Sequence, residues 1–137
     1  MPSVAADSSF VYALLDGSDA AHHRARALLS SPPGTFIANL PVVTEVIYLL
    51  DFSPAAQLGA IRFATEVLIL DRGTFDDLPR ISAIMAKYAD LPADFADASL
   101  MAMCERLGIE QIATLDRDFE IYRKADGKAL ANVLPPR

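Results

Sequence analysis

Short apolar segments alternate with helix-forming segments along almost the whole chain, and this alternation constrains the fold more than any other feature. The strand-like segments cover residues 4–6, 35–38, 67–70, 111–115 and the vicinity of 132–134. Short apolar strands separated by helices predict a parallel sheet covered on both faces, with its ligand site at the carboxyl ends of the strands. Because residues 67–70 are wholly apolar, we expect them to form a central strand.

The helix boundaries are marked by residues that begin or end helices. Pro41 suits the first turn of a helix that reaches about Leu50, and Pro54 can open another that reaches about Glu66, because a proline at the first helical position needs no N–H partner. Gly108 supplies a C-terminal stop to the strongly apolar helix that precedes it. We therefore expect an α/β fold in which each strand is followed by one or more helices.

The length and composition indicate a soluble globular protein. A chain of 137 residues can bury one core of ordinary size, so we expect a single domain over residues 1–137. It has no apolar run long enough to cross a bilayer and no basic, apolar start typical of a secretory signal. Cys104 is the single cysteine and lies in an apolar helix, so we expect it in the core of a cytoplasmic protein.

Four carboxylates occupy positions where this fold places chemistry. Asp7 and Asp116 directly follow predicted strands, whereas Glu45 and Asp97 lie in apolar helices that leave little room for an unused charge. A buried carboxylate needs a partner. A set of acids that converge without matching bases is best neutralised by hard cations such as Mg²⁺ or Mn²⁺.

Each acid also has a purely structural interpretation. Asp7 could cap the first helix, Asp116 could start a turn, and Glu45 could face solvent. Asp94 shares a helical face with Asp97 but lies nearer the helix start, where a carboxylate favours the positive end of the helix dipole. Asp97 is therefore the stronger candidate for a metal ligand.

The formal net charge of −6 lowers the expectation of nucleic-acid binding, since phosphate contacts normally come from a surplus of Lys and Arg. Acids that bind divalent cations would nevertheless present a positive site once loaded. Several other chemistries are excluded, because the chain has no GxxxxGK phosphate loop, GxGxxG dinucleotide turn, HExxH zinc helix or GxSxG nucleophile elbow.

Three sequence blocks in this order resemble the PIN-domain family, and more closely the VapC toxins of bacterial toxin–antitoxin pairs. The blocks are AADSSFVYALLDGSDAAHHRARALL, LPVVTEVIYLL and KYADLPADFADASLMAMCERLGIEQIATLDRDFEIYR. The resemblance implies a three-layer α/β/α PIN-like domain around a parallel sheet of four to five short strands. It also implies an endoribonuclease that uses one or two Mg²⁺ or Mn²⁺ ions per site.

The resemblance assigns roles to individual residues. The family's four acids correspond to Asp7, Glu45, Asp97 and Asp116, as catalytic and metal-binding residues. Accessory positions correspond to Ser9, Asp94, Thr114 and Asp118. The turn after Asp116 is one residue shorter than the common TLDRRDF form, which leaves open whether Asp118 reaches the site.

The resemblance further implies an RNA substrate, a homodimer and a small VapB-like antitoxin whose tail lies across the groove. Two other interpretations remain open. The chain could be a housekeeping PIN nuclease that processes RNA without an antitoxin, or a catalytically silent PIN fold used as an interaction module. The apparently complete set of four acids weighs against the silent module, because unpaired buried carboxylates destabilise a fold.

Overall fold

A parallel five-stranded sheet forms the centre of the molecule. The computed structural model describes residues 1–91 and 93–134. The strands are β1 (Ser3–Ala6), β2 (Thr35–Asn39), β3 (Ile69–Asp71), β4 (Gln111–Ala113) and β5 (Ala131–Asn132), in the spatial order β3-β2-β1-β4-β5. Every pairing between neighbours is parallel. This confirms the predicted α/β class and the four to five short strands.

Six helices flank the sheet and complete the three-layer α/β/α arrangement. They are α1 (Ser8–Leu15), α2 (His22–Ser30), α3 (Leu40–Leu49), α4 (Pro54–Glu66), α5 (Thr74–Lys87) and α6 (Phe95–Leu107), and a short 3-10 helix covers Arg117–Glu120. The side chains of Asn39, Ser53 and Asp94 each accept a hydrogen bond from a backbone N–H in the first turn of the helix that follows. The predicted stop at Gly108 is confirmed, since this residue has a left-handed φ of 68°.

The strand order reverses direction at β1. From β1 the chain extends the sheet on one side through β2 and β3, and then crosses to the other side to add β4 and β5. Ala6 at the end of β1 pairs with Ala113 at the end of β4. A crevice outside the strand ends at such a reversal is the usual ligand site of an open parallel sheet. The residues that follow Ala6 and Ala113 therefore line that crevice.

Helix α6 is buried along most of its length because it packs against both α3 and α5. Its residues from Ala96 to Cys104 are all buried. The expectation that Cys104 lies in the core is confirmed, and burial raises the pKa of its thiol to about 12. Such a thiol stays protonated and packs as a small apolar side chain. None of the helices in the described part of the chain is long and apolar enough to cross a membrane.

Two predicted strands differ from the observed ones. The strand predicted at residues 67–70 is not central: β3 begins at Ile69 and is an edge strand, with Ile69 54% exposed. The prediction was wrong because an apolar segment has the same sequence pattern in a central strand as in an edge strand that lines a groove. The strand predicted to end at Leu115 ends at Ala113, because the side chain of Asn132 binds the backbone N–H and C=O of Thr114.

Candidate active site

Asp7 lies at the carboxyl end of β1 and is almost completely buried, with 2% of its surface exposed. Its Oδ2 accepts hydrogen bonds from Thr114 Oγ1 at 2.6 Å and from Ser9 Oγ at 2.7 Å. Asp7 occupies the N-cap position of α1, but its side chain makes no capping hydrogen bond. The interpretation of Asp7 as a helix cap is therefore wrong, since its carboxylate binds the hydroxyls of Ser9 and Thr114 instead. Burial raises its pKa, with a smaller contribution from the charge of Asp116.

Two hydroxyl groups connect Asp7 to the segment that carries Asp116. Ser9 Oγ and Thr114 Oγ1 lie 3.3 Å apart. Ser9 Oγ accepts a hydrogen bond from the backbone N–H of Leu115, and Thr114 Oγ1 accepts one from the N–H of Asp116, both at 2.9 Å. The accessory positions Ser9 and Thr114 thus form a network that holds the ends of β1 and β4 together.

Asp97 lies in the first turn of α6 and is also buried, with 6% exposure. Tyr122 Oη donates a hydrogen bond to Asp97 Oδ2 at 3.3 Å. Burial raises the pKa of Asp97 to about 9, and like-charge repulsion adds to the effect. That repulsion comes from Asp7, Asp94, Asp116 and Glu45. Asp97 therefore lies within electrostatic reach of the other three predicted catalytic acids and of Asp94.

Glu45 projects from α3 and is half-buried. Its Oε1 accepts a hydrogen bond of 2.7 Å from Ser8 Oγ. Burial raises the pKa of Glu45, and the charges of Asp94 and Asp7 raise it further. The interpretation of Glu45 as a residue on a solvent face is therefore wrong: α3 directs it towards the acids that follow β1 and open α6.

The remaining acids have visible structural roles. Asp94 is exposed, and its Oδ1 caps α6 by accepting the N–H of Asp97 at 2.8 Å, as its structural interpretation predicted. Asp116 Oδ1 accepts the N–H of Asp118 at 2.9 Å, which is the turn predicted for it. Burial and the charge of Asp116 raise the pKa of Asp118. Asp118 is thus a neighbour of Asp116 at the margin of the cluster.

The donor chemistry of this cluster fits a hard cation. It consists of carboxylate and hydroxyl oxygens, the ligands that Mg²⁺ and Mn²⁺ prefer. In residues 1–91 and 93–134, none of the ion pairs includes Asp7, Glu45, Asp97 or Asp116; the basic partners are Arg80, Arg106 and Lys124, which pair elsewhere.

The spacing of the acids is looser than that of a ready-made metal site. Among the described residues, no three His, Cys, Asp or Glu side chains are grouped closely enough to hold a metal ion. The acids are near enough to repel one another, yet more widely spread than direct coordination by three of them requires.

Two residues at the site were missed by sequence reasoning. Ser8 holds Glu45, and Tyr122 holds Asp97. Tyr122 is completely buried and stacks edge-on against Tyr88 and Phe119, with ring centroids 5.1 and 5.2 Å away. The sequence around Tyr122 gives no sign of its burial, because Glu120, Arg123 and Lys124 make this segment strongly charged. No local pattern identifies Asp97 as the hydrogen-bond partner of its hydroxyl.

An apolar groove adjoins the cluster. It has a volume of about 1150 Å³, and Glu45 and Asp94 are among its lining residues. Its apolar walls include Leu40, Tyr48, Leu68, Phe75 and Phe95, of which Phe75 is 80% exposed and Tyr48 73%. The groove therefore combines apolar surface with carboxylates at the edge of the candidate site.

Comparisons with known proteins identify a family and a similar solved structure. The model of the PIN domain family matches residues 4–125. The structure is similar to the crystal structure of VapC20 from Mycobacterium tuberculosis, described as a Sarcin-Ricin loop cleaving toxin, with a TM-score of 0.83 and 25% sequence identity. That match covers 96% of this chain and 99% of the other. The comparison with curated proteins gives no match.

Proposed function

Because this chain belongs to the PIN-domain family, we propose that it is a metal-dependent endoribonuclease and the toxin of a VapC-type toxin–antitoxin pair. The observation that carries the proposal is the gathering of Asp7, Glu45, Asp97 and Asp116 at the strand-order reversal, without a basic partner among the described residues. A parallel-sheet crevice that collects uncompensated carboxylates suits cations and the phosphates they bind.

Asp7, Asp97 and Asp116 would hold one or two Mg²⁺ or Mn²⁺ ions, which supply water activation, phosphate orientation and stabilisation of the leaving oxygen. The residues of the chain position these groups. Ser9 and Thr114 fix the Asp7 carboxylate through its Oδ2, and Tyr122 fixes Asp97. Side chains held in this way need little rearrangement when the substrate phosphate binds.

Glu45 would serve as a further ligand or as the group that orients the attacking water. Ser8 restrains its Oε1, and burial raises its pKa, which makes the carboxylate a stronger proton acceptor than an exposed glutamate. No residue of the chain needs to become covalently attached to RNA in this mechanism.

A small VapB-like antitoxin is the partner that the groove beside the cluster would accommodate. Apolar side chains of the antitoxin would cover Tyr48, Phe75 and Phe95, and a basic side chain would reach Glu45 and Asp94. Charge complementarity supports this arrangement, since the protein carries a net charge of −6. Expression of the native operon should therefore copurify a small protein with the chain, whereas expression of the chain alone should slow growth.

A homodimer is also proposed. Large apolar side chains are exposed on α4 and α5, among them Leu58 at 65% and Leu78 at 43%. Apolar surface of this kind is commonly covered by a second subunit. Light scattering of the purified protein should give twice the mass of one chain.

The experiment that tests the activity is cleavage of a mixed single-stranded RNA pool by the purified protein, with Mg²⁺, with Mn²⁺ and with a chelator. Cleavage should require a divalent cation. Asp7→Asn should abolish it, whereas Asp51→Asn, at an exposed acid in the turn after α3, should not. Cleavage that persists in chelator, or that survives Asp7→Asn, would contradict the proposal.

The cleavage assay, together with the growth and copurification experiments, separates the two alternatives. A housekeeping nuclease would cleave RNA but leave growth unaffected and acquire no partner from its operon. A silent interaction module would bind partners without cleaving RNA under any metal condition.

A further inference from the structure

The side chain of Asn132, on the edge strand β5, makes four hydrogen bonds to backbone groups. Its Oδ1 accepts the N–H of Thr114 at 3.2 Å and the N–H of Leu134 at 3.0 Å. Its Nδ2 donates to the carbonyl oxygens of the same two residues, at 3.0 and 2.9 Å. An asparagine amide has two N–H donors and two acceptor lone pairs, so this side chain uses its full capacity.

These bonds determine where the backbone goes after β4. Regular pairing of β4 ends at Ala113, and Asn132 then binds both backbone groups of Thr114 as a neighbouring strand would. Thr114 is buried, and its Oγ1 donates to Asp7 Oδ2 at 2.6 Å while it accepts the N–H of Asp116. The amide of Asn132 therefore binds the backbone of the same residue, Thr114, whose hydroxyl contacts Asp7.

We propose that Asn132 is a positioning residue of the active site, which holds the backbone of Thr114 so that its hydroxyl reaches the Asp7 carboxylate. Its effect on cleavage rests on the proposed nuclease function, whereas its effect on Thr114 does not. A purely structural role, in which Asn132 only attaches β5 to the sheet, makes a different prediction: the effect of losing the amide would not depend on the Thr114 hydroxyl.

The first test is amide hydrogen exchange in Asn132→Ala and in the control Val133→Ala. Val133 directly follows β5, is half-buried and packs against the core, but its side chain makes no hydrogen bond to Thr114. Asn132→Ala should accelerate exchange at Leu115 and Asp116 about tenfold or more, whereas Val133→Ala should leave these two amides unchanged. Unchanged exchange in Asn132→Ala, or equal acceleration in both variants, would overturn the proposal.

The second test is a double-mutant cycle with Thr114→Val, which removes the hydroxyl but keeps the shape of the side chain. In the wild-type background Asn132→Ala should weaken Mn²⁺ binding and lower kcat about 10- to 100-fold, the range for residues that orient metal ligands, with KM for RNA nearly unchanged. In the Thr114→Val background the same substitution should change either quantity less than about twofold. Equal losses in both backgrounds would overturn the proposal.

The two tests also separate this inference from the proposed function. If the wild-type protein does not cleave RNA, the nuclease proposal fails, and the exchange of Leu115 and Asp116 still decides the role of Asn132. If Asn132→Ala does not fold, Asn132→Asp takes its place, because it keeps the two acceptor bonds and loses the two donor bonds. No acceleration of exchange in Asn132→Asp would then overturn the proposal.

Discussion

Asp97 shows at the scale of one residue why a buried carboxylate is informative. Burial and four neighbouring acids raise its pKa to about 9, and no ion pair of the described residues includes it. An ionised group in this setting destabilises the fold unless a cation or a proton neutralises it. If Asp97 served stability alone, a neutral residue of the same size could replace it without any loss of stability or activity.

Asp97→Asn tests this reasoning, since it preserves size and removes the charge. The metal-free variant should have the same Tm as the wild type or a higher one, because a neutral amide can be buried without binding a proton or a cation. Its divalent-dependent RNA cleavage should fall about 100-fold or more, the scale for loss of one electrostatic group in an active site. The control is Asp76→Asn, at an exposed acid in the first turn of α5. Undiminished cleavage by Asp97→Asn would remove it from the metal site.

Tyr122→Phe tests whether the hydroxyl that donates to Asp97 orients it. The ring packing against Phe119 is retained, and only the contact of 3.3 Å with Asp97 Oδ2 is lost. Cleavage should fall about 10-fold or more at limiting Mn²⁺, and less at saturating Mn²⁺, because the loss is one of metal affinity.

Tyr88→Phe is the matched control for that variant. Tyr88 belongs to the same aromatic cluster, but its hydroxyl accepts the N–H of Arg123 and is not hydrogen-bonded to Asp97. It should lower the free energy of unfolding by about 1 kcal/mol without changing the dependence of cleavage on Mn²⁺. Identical Mn²⁺ dependence in both variants would exclude the orienting role of Tyr122.

At the scale of elements, Asp94 directly precedes helix α6, where it can cap the helix, bind a metal ion or do both. The side chain of Asp94 caps the helix through the N–H of Asp97. A serine can make the same capping bond without a charge, whereas an alanine cannot. The two substitutions therefore separate the contribution of Asp94 to the helix from any contribution to the metal site.

We expect Asp94→Ser to keep the free energy of unfolding of the wild type and to change the rate of RNA cleavage by less than about twofold. Asp94→Ala should lower the free energy of unfolding by about 1 kcal/mol. Urea unfolding and RNA cleavage of the two variants measure these effects. A large loss of cleavage in a stable Asp94→Ser protein would instead place Asp94 among the metal ligands.

For the whole molecule, the acid cluster determines how stability depends on pH. Burial raises the pKa of Asp97 to about 9 from its ordinary value of 3.8, and it also raises the pKa values of Asp7 and Glu45. A carboxyl group whose pKa is raised on folding binds its proton more tightly in the folded state. Its favourable contribution is fully present below its unfolded pKa and is lost as the pH rises through the folded pKa.

The metal-free protein should therefore become less stable between about pH 4 and pH 9, and Asp97→Asn should flatten this decline. Below pH 4 the opposite effect dominates, because hydrogen bonds from Arg106 and Arg80 lower the pKa values of Asp71 and Glu105. Urea unfolding at a series of pH values, with and without Mn²⁺, measures the change in stability both below pH 4 and between pH 4 and pH 9. A wild-type protein whose metal-free stability rises from pH 5 to pH 9 would contradict the arrangement of the cluster.

The sequence by itself determined the class of the fold and the residues that are able to bind a metal or take part in catalysis. The alternation of apolar segments with helices is a local property, because the period of apolar residues depends only on neighbours in the chain. The helix from Pro54 to Glu66 and the end of α6 at Gly108 followed from local backbone preferences in the same way. Glu45 and Asp97 were recognisable because a charge in an apolar segment conflicts with its surroundings, and Asp7 and Asp116 because they directly follow predicted strands.

Only the tertiary structure decided which groups meet. Sequence placed residues 67–70 in the centre of the sheet, whereas packing puts β3 at the edge. The contacts of Ser8 with Glu45 and Tyr122 with Asp97 join residues 37 and 25 positions apart, and Asn132 reaches Thr114 across 18. Such pairs depend on how whole elements pack against one another, and no spacing within the chain encodes that relative placement.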